Sequence, residues 1–141
     1  MTSASLPVNG IASSKAAFWA GRILSGIVIA FLVMDGAMKL PPIRPVTDTM
    51  AALGWPADVT TARGLGVLIL AIAALYAWPR TAVLGVVLLT GYLGGAIATH
   101  VRVGSPLFTH TFFGIYVGLL AWAGLWLRDA RLRALLPFAG H

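Results

Sequence analysis

The chain has 141 residues, of which 59% are hydrophobic and only 10% are charged, and its mean hydropathy is +0.90. A soluble domain carries about 25% charged residues, so this composition excludes an ordinary soluble domain and indicates a surface that largely faces lipid. The absence of cysteine excludes disulfides, thiolate metal sites and iron–sulfur clusters held by this chain. The net charge of +6 comes from cations at the ends of apolar runs, which is typical of membrane topology signals and not of a nucleic-acid-binding patch.

Four apolar segments are each near the ~20 residues that a bilayer core requires. They predict transmembrane helices over residues 17–39, 59–78, 80–100 and 106–127. Pro41 ends the first segment, Asp58 is placed to cap the second, and Pro79 and Pro106 mark the later boundaries. The sequence therefore predicts an all-α integral membrane protein, a four-transmembrane-helix bundle.

The flanking and connecting segments carry their own signals. Residues 1–16 are rich in Ser and Ala and predict a disordered N-terminal tail, which leaves residues 17–137 as a single domain. Between the first two spans, Val46, Met50 and Leu53 recur at helical spacing, and Trp55 follows them. This pattern predicts a short interfacial helix on the membrane surface, with an ordinary ordered loop as the alternative.

Small residues at four-residue spacing predict where the helices pack, because close backbone approach drives helix association in lipid. The third span carries Gly91 and Gly95, the fourth carries Gly114 and Gly118, and the first carries Gly21 within a stripe of small residues. We expect a tight bundle in which Gly95 makes close backbone contact. The same motifs also suit contacts in a homo-oligomer, and sequence does not separate the two.

Ionisable groups inside a span are costly and indicate function or pairing. Asp35, Arg63 and His110 each lie four residues inside the same end of their predicted helices, about 6 Å below the boundary at 1.5 Å per residue. Other polar groups lie at the rim or on the same stripes. The candidate ligand-binding set is Asp35, Lys39, Arg63, Tyr92, Thr99, His100, Arg102 and His110.

Two interpretations of this polar layer stay open. In the first it is a salt-bridge cluster, in which Asp35 pairs with Lys39 or Arg63. In the second it is a pocket for a small anionic or quinone-like ligand. Haem is disfavoured because the two histidines should differ by about 6 Å in depth, and a metal is disfavoured because His110 and Asp35 alone do not make a selective site. No catalytic motif is present, so catalytic residues stay unknown.

Two stretches carry a family resemblance. FLVMDGAMK at residues 31–39, and WPRTAVLG at 78–85 followed by LTGYLGGAIATHVRVG at 89–104, resemble the DoxX-like membrane proteins, over about residues 17–137. The resemblance implies a small four-helix protein of the bacterial cytoplasmic membrane. Relatives with the DoxX or DoxD name are linked to thiosulfate:quinone oxidoreductase, to terminal oxidase assemblies, or to an oxidoreductase complex with superoxide dismutase and a sulfurtransferase. The resemblance names no catalytic residue, and the absence of cysteine argues against a direct role of this chain in sulfur transfer.

Two functions follow as hypotheses. The first is a non-catalytic membrane subunit or anchor of a redox or envelope-stress assembly, with a redox protein as partner. The second is a small-molecule or quinone-binding membrane protein, a transporter or a quinone-linked oxidoreductase component, which uses the polar layer as its pocket.

The distribution of Lys and Arg predicts that both termini are cytoplasmic. Six cations lie at the end of the bundle that holds the termini and four at the other end. A reporter enzyme that is active only in the periplasm, fused to the C-terminus, should therefore show no activity. Strong activity of that fusion would reverse the topology.

Overall fold

The computed structural model describes residues 8–41 and 43–136 of the chain, and they are almost entirely helical. The helices are α1 (Val8–Lys39), α2 (Arg44–Ala52), α3 (Val59–Ala77), α4 (Ala82–Arg102), α5 (Phe113–Arg128) and α6 (Ala130–Leu135). A π-helical turn over Leu107–Thr111 precedes α5. No strand occurs in the described ranges.

Four helical segments are long and apolar enough to cross a membrane. They are Lys15–Lys39, Val59–Ala77, Ala82–Arg102 and Leu107–Arg128. The predicted four-helix membrane bundle is therefore confirmed, and α2 is the short helix expected between the first two spans. Two features differ from the expectation: α1 begins at Val8 and not near residue 17, and α6 follows the last span. The first seven residues of the predicted tail lie outside the described part of the chain.

Local sequence explains the boundaries around α2 and α3. Asp58 caps α3 as predicted, because its carboxylate accepts a hydrogen bond from the Thr61 backbone N–H at 2.7 Å. This hydrogen bond also lowers the pKa of Asp58 below its usual value. Helix α2 ends where Gly54 adopts a positive φ of 76°, which lets the Trp55 N–H turn back to the Met50 carbonyl at 2.9 Å.

The four spans form a closed ring in chain order. Helix α1 packs against α3 and α5, and α4 packs against the same two helices from the other side. Tyr76 of α3 lies fully buried among them, and its hydroxyl donates to the Ala121 carbonyl of α5 at 2.7 Å. The same hydroxyl hydrogen-bonds the Ser25 hydroxyl of α1 at 3.0 Å. One phenol therefore joins three helices.

Glycine permits the closest contacts in the ring. A Cβ atom added to Gly21 would lie 2.7 Å from the Gly124 carbonyl oxygen, and one added to Gly66 would lie 2.9 Å from the Gly36 carbonyl oxygen. A Cβ atom added to Gly85 would meet the backbone of Tyr76. Backbone therefore touches backbone between α1 and α5, between α1 and α3, and between α3 and α4, as close packing in lipid requires.

The predicted close contact at Gly95 is wrong. No heavy atom lies within 4 Å of a Cβ built on Gly91, Gly94 or Gly95. Four-residue spacing places glycines on one helix face, but it does not say whether a neighbouring helix covers that face. The structure instead brings the Gly21 stripe of α1 against Gly124, and it leaves Gly95 at a cavity.

We predict that Gly21→Ala lowers the free energy of unfolding, while Gly26→Ala on the same helix does not. The methyl group at Gly21 would overlap the backbone of α5, and overpacking typically costs about 1–3 kcal/mol. The methyl group at Gly26 meets no atom within 4 Å. Thermal unfolding of both variants in the same detergent measures the difference. Equal stability would show that α1 and α5 do not touch at Gly21.

Candidate functional site

A cavity of about 530 Å³ lies at the end of the bundle that carries α2. We call it the α2 cavity. It lies among α1, α3, α4, the π-helical turn and α5, and its volume is within the ~300–1,000 Å³ typical of small-molecule sites. Its apolar walls include Phe31, Leu32, Ile69, Leu93 and Phe113. The cavity is thus an apolar space to which a few polar side chains are added.

Helix α2 forms part of the cavity wall. Val46, Met50 and Leu53, which predicted an amphipathic helix, all line the cavity, and Met50 is only 5% exposed. The apolar face of α2 therefore covers the cavity, and it is not directed only at lipid. Trp55, just after α2, also lines it.

Asp35 and Lys39 form an ion pair in the cavity wall. The Lys39 Nζ atom lies 2.6 Å from the Asp35 Oδ2 atom, with the two residues one helical turn apart on α1. Both side chains are at least half-buried and both residues line the cavity. The predicted pairing is confirmed. The two charges neutralise each other within the wall, so the pair adds polarity to the cavity without adding net charge.

Two histidines lie side by side in the same wall. The rings of His100 and His110 have centroids 5.9 Å apart and meet edge to face. The Nδ1 atom of His100 shares a hydrogen bond of 2.9 Å with the Ser105 hydroxyl, and that of His110 shares one of 2.7 Å with the Thr109 hydroxyl. Within the described ranges neither Nε2 atom has a hydrogen-bond partner. Each ring is therefore oriented through one nitrogen while the other remains available to a ligand.

Tyr92 and Thr99 also line the cavity from α4. The Thr99 hydroxyl donates to the Gly95 carbonyl of its own helix at 2.8 Å. The Tyr92 side chain packs against the apolar core, and its hydroxyl has no hydrogen-bond partner among the described residues. This phenol is a third unpaired group, beside the two histidine Nε2 atoms. The cavity therefore brings together six of the eight predicted residues.

The other two predicted residues, Arg63 and Arg102, do not line the cavity. The Arg63 Nε atom donates to the Leu40 carbonyl at 2.9 Å, and the Arg102 Nη2 atom donates to the Leu53 carbonyl at 2.7 Å. The two arginines thereby anchor the connection that carries α2 at both of its ends. Position along the helices placed Arg63 below the boundary and Arg102 at the rim, but it did not predict which carbonyl each side chain binds.

The profile of the DoxX-like family matches residues 23–124, which is well over half of the chain. The chain belongs to the DoxX-like family. The match contains every residue that lines the α2 cavity, and it also contains all eight predicted residues. No curated protein and no solved structure matches this DoxX-like protein.

Sequence reasoning missed several cavity residues of this DoxX-like protein. Met38, Trp55 and Phe113 line the cavity together with Thr49 and Thr111. Phe31 and Phe113 pack edge to face with ring centroids 5.2 Å apart, which links α1 to α5 at the wall. The only signal for these residues was helical spacing from a polar residue, for example Phe31 one turn before Asp35. That signal is weak in a chain where most residues are apolar.

We predict that Asp35→Ala destabilises the DoxX-like bundle more than Asp35→Asn. Alanine leaves the Lys39 ammonium without its partner, whereas the amide of asparagine can still accept a hydrogen bond. Breaking a fully buried pair costs about 3–5 kcal/mol, and the partial exposure of Asp35 reduces this to roughly 1–3 kcal/mol.

The measurement is thermal unfolding in detergent of both variants, with Asp35→Ala/Lys39→Met as the matched control. Removing both charges should restore most of the stability that Asp35→Ala loses. A double variant no more stable than Asp35→Ala would show that the ion pair is not the cause.

Proposed function

We propose that this DoxX-like protein binds an uncharged lipophilic carbonyl compound of the quinone class in the α2 cavity. The observation that carries the proposal is the charge of the cavity wall. Its carboxylate and its ammonium neutralise each other at 2.6 Å, while both nearby guanidinium groups bind backbone carbonyls outside it. Among the described residues, the cavity wall offers an anionic ligand no lysine or arginine that is free to pair with it.

The polar groups of the cavity suit a carbonyl ligand. A quinone offers two carbonyl oxygens, which accept hydrogen bonds and donate none. The Tyr92 hydroxyl and the Nε2 atoms of His100 and His110 are without protein partners in the described ranges, and each can donate when protonated there. A ligand carbonyl that accepts a hydrogen bond from one of these donors stabilises the complex.

The apolar walls suit the remainder of such a ligand. Aromatic rings of Phe31 and Phe113, and the flexible side chains of Met38 and Met50, surround the polar groups. Methionine adapts to irregular apolar shapes, and aromatic edges pack well against a planar ring. A quinone dissolves in the bilayer, which is the solvent around the four spans.

The proposal includes a location and a context. We place the protein in the bacterial cytoplasmic membrane with both termini cytoplasmic, on the Lys and Arg asymmetry and the family resemblance. A quinone site in a protein with no catalytic motif fits a membrane subunit of a redox assembly. The alternative, an anchor that binds no ligand, predicts stoichiometric co-purification of a redox protein and no effect of a quinone.

The test is a titration of the purified protein with a short-chain ubiquinone, followed by quenching of tryptophan fluorescence. Trp55 lines the cavity, so a bound quinone should quench it, and Trp55→Phe should remove most of the saturable signal. Gly95→Leu should fill the cavity and weaken binding by roughly tenfold or more, since 1.4 kcal/mol corresponds to a factor of ten.

Gly94→Leu is the matched control. It places the same side chain on the neighbouring residue of α4, where no atom lies within 4 Å of the Cβ and the residue does not line the cavity. It should bind the quinone like the unmodified protein. Equal affinity in both leucine variants, or no saturable quenching at all, would contradict the proposal.

A further inference from the structure

A second cavity, of about 350 Å³, lies at the opposite end of the bundle. We call it the arginine cavity. Phe18 and Arg22 of α1 line it, together with the α3–α4 connection at Pro79 and the junction of α5 and α6. Three guanidinium groups (Arg22, Arg128 and Arg131) and one carboxylate (Asp129) line it, which leaves an excess of two positive charges. All three arginines lie outside residues 23–124, the part that matches the family.

Arg128 is held rigidly in this cavity, and part of it is unsatisfied. Its Nη2 atom donates to the Tyr76 carbonyl at 2.9 Å, and its guanidinium lies 5.1 Å from the centroid of the Tyr76 ring. Its Nε atom is buried and has no hydrogen-bond partner among the described residues. Buried N–H groups are nearly always paired, so an orphaned donor of a cation indicates an acceptor that belongs to a ligand.

The carboxylate of the cavity is already engaged elsewhere. Asp129 caps α6 by accepting the Arg131 backbone N–H at 2.9 Å, and its Oδ1 atom lies 3.5 Å from the Arg131 Nε atom. Partial burial acts to raise the pKa of Asp129, but the hydrogen bonds and charge of Arg131 outweigh it and lower that pKa. Asp129 thus stays ionised and paired with Arg131, and it forms no salt bridge with Arg128 or Arg22.

Arg22 has no carboxylate partner in the described residues either. Its guanidinium lies 5.7 Å from the ring of Phe18 and 5.8 Å from that of Trp19, and the side chain is exposed at the rim of the cavity. Cation–π contacts hold a guanidinium in place while leaving its N–H groups able to donate. Arg22 and Arg128 therefore present donors to the same space from two different helices.

The position of the arginine cavity in the membrane indicates which kind of anion it binds. Arg128 is the last residue of its membrane span, and Trp19 and Trp78 are 56% and 63% exposed at the same end of the bundle. Exposed tryptophans mark the level of lipid headgroups, and basic pockets between helices at this level bind anionic headgroups. The donors of a guanidinium group match the geometry of phosphate oxygens, and phosphate is the anionic group that phospholipid headgroups share.

We propose that the arginine cavity binds the phosphate group of an anionic phospholipid. The site lies at the other end of the bundle from the α2 cavity, and it does not depend on what that cavity binds. Lipid phosphate would accept the orphaned Arg128 Nε–H and the donors of Arg22. The acyl chains would lie along the exposed apolar surface of α1.

The test is native mass spectrometry of the full chain, released from detergent after titration with phosphatidylglycerol or phosphatidylcholine. The unmodified protein should retain phosphatidylglycerol in preference. Arg22→Gln/Arg131→Gln should reduce that preference by roughly tenfold or more, because each basic residue near the headgroup contributes about fivefold. This double variant keeps Arg128, whose contacts with Tyr76 support the fold.

The matched control is Lys15→Gln/Arg80→Gln. It removes two positive charges from the same end of the protein, but neither residue lines the cavity. It should keep the preference for phosphatidylglycerol. Equal loss in both double variants would overturn the proposal in favour of a diffuse attraction to the surface.

A second titration uses inorganic phosphate alone. We expect inorganic phosphate to displace phosphatidylglycerol only at concentrations far above those of the lipid, because free phosphate lacks the acyl chains. If phosphate binds to the cavity and the protein shows no preference between the two lipids, the site is one for soluble phosphate and the lipid proposal is overturned. Retention of both lipids equally in every variant would overturn it as well.

Discussion

Direct contact between glycine backbones determines the shape of this bundle. Helix α1 touches α5 at Gly21 and Gly124, and it touches α3 at Gly36 and Gly66. In lipid there is little hydrophobic gain when helices meet, so association depends on how closely the backbones approach. The first contact lies toward the end with the chain termini, and the second lies near the α2 end. Gly95 of α4 meets no atom and lines the space that becomes the α2 cavity.

Contacts with the backbone also determine how the arginine side chains bind. A guanidinium near a membrane needs an acceptor, and in this chain Arg63, Arg102 and Arg128 use backbone carbonyls at the ends of helices for that purpose. Helix ends have unpaired carbonyls in any case, so each arginine satisfies two needs with one hydrogen bond. At the α2 end this leaves the cavity wall with a neutral ion pair. At the other end the geometry leaves donors of Arg128 and Arg22 unused. The two cavities therefore differ in charge although both lie beside arginines.

The sequence predicted the features that depend on composition and on local spacing. Four spans, the cap at Asp58, the helix around Met50 and the one-turn pairing of Asp35 with Lys39 all follow from residues close together in the chain. The direction in which a long side chain binds does not follow from residues close to it in the chain. Arg63 binds a carbonyl 23 residues away, and no periodicity reveals which carbonyl lies within reach. Glycine spacing likewise marks a face but not its neighbour, and for that reason Gly95 was misplaced while the contact of Gly124 with Gly21 was not predicted. Most walls of the α2 cavity are apolar residues without a distinguishing signal.

Tyr76 restricts how the four spans can move relative to one another. Its hydroxyl bonds to α1 and α5, its backbone meets Gly85 of α4, and its carbonyl accepts from Arg128. All four spans are therefore fixed in register around one residue near the end with the termini. Alternating access requires each end of a carrier to open in turn while the other closes. Among the described residues, the cover at the α2 end is helix α2, which is held by hydrogen bonds from two exposed arginines. The ligand proposed for the α2 cavity should therefore enter and leave at the α2 end.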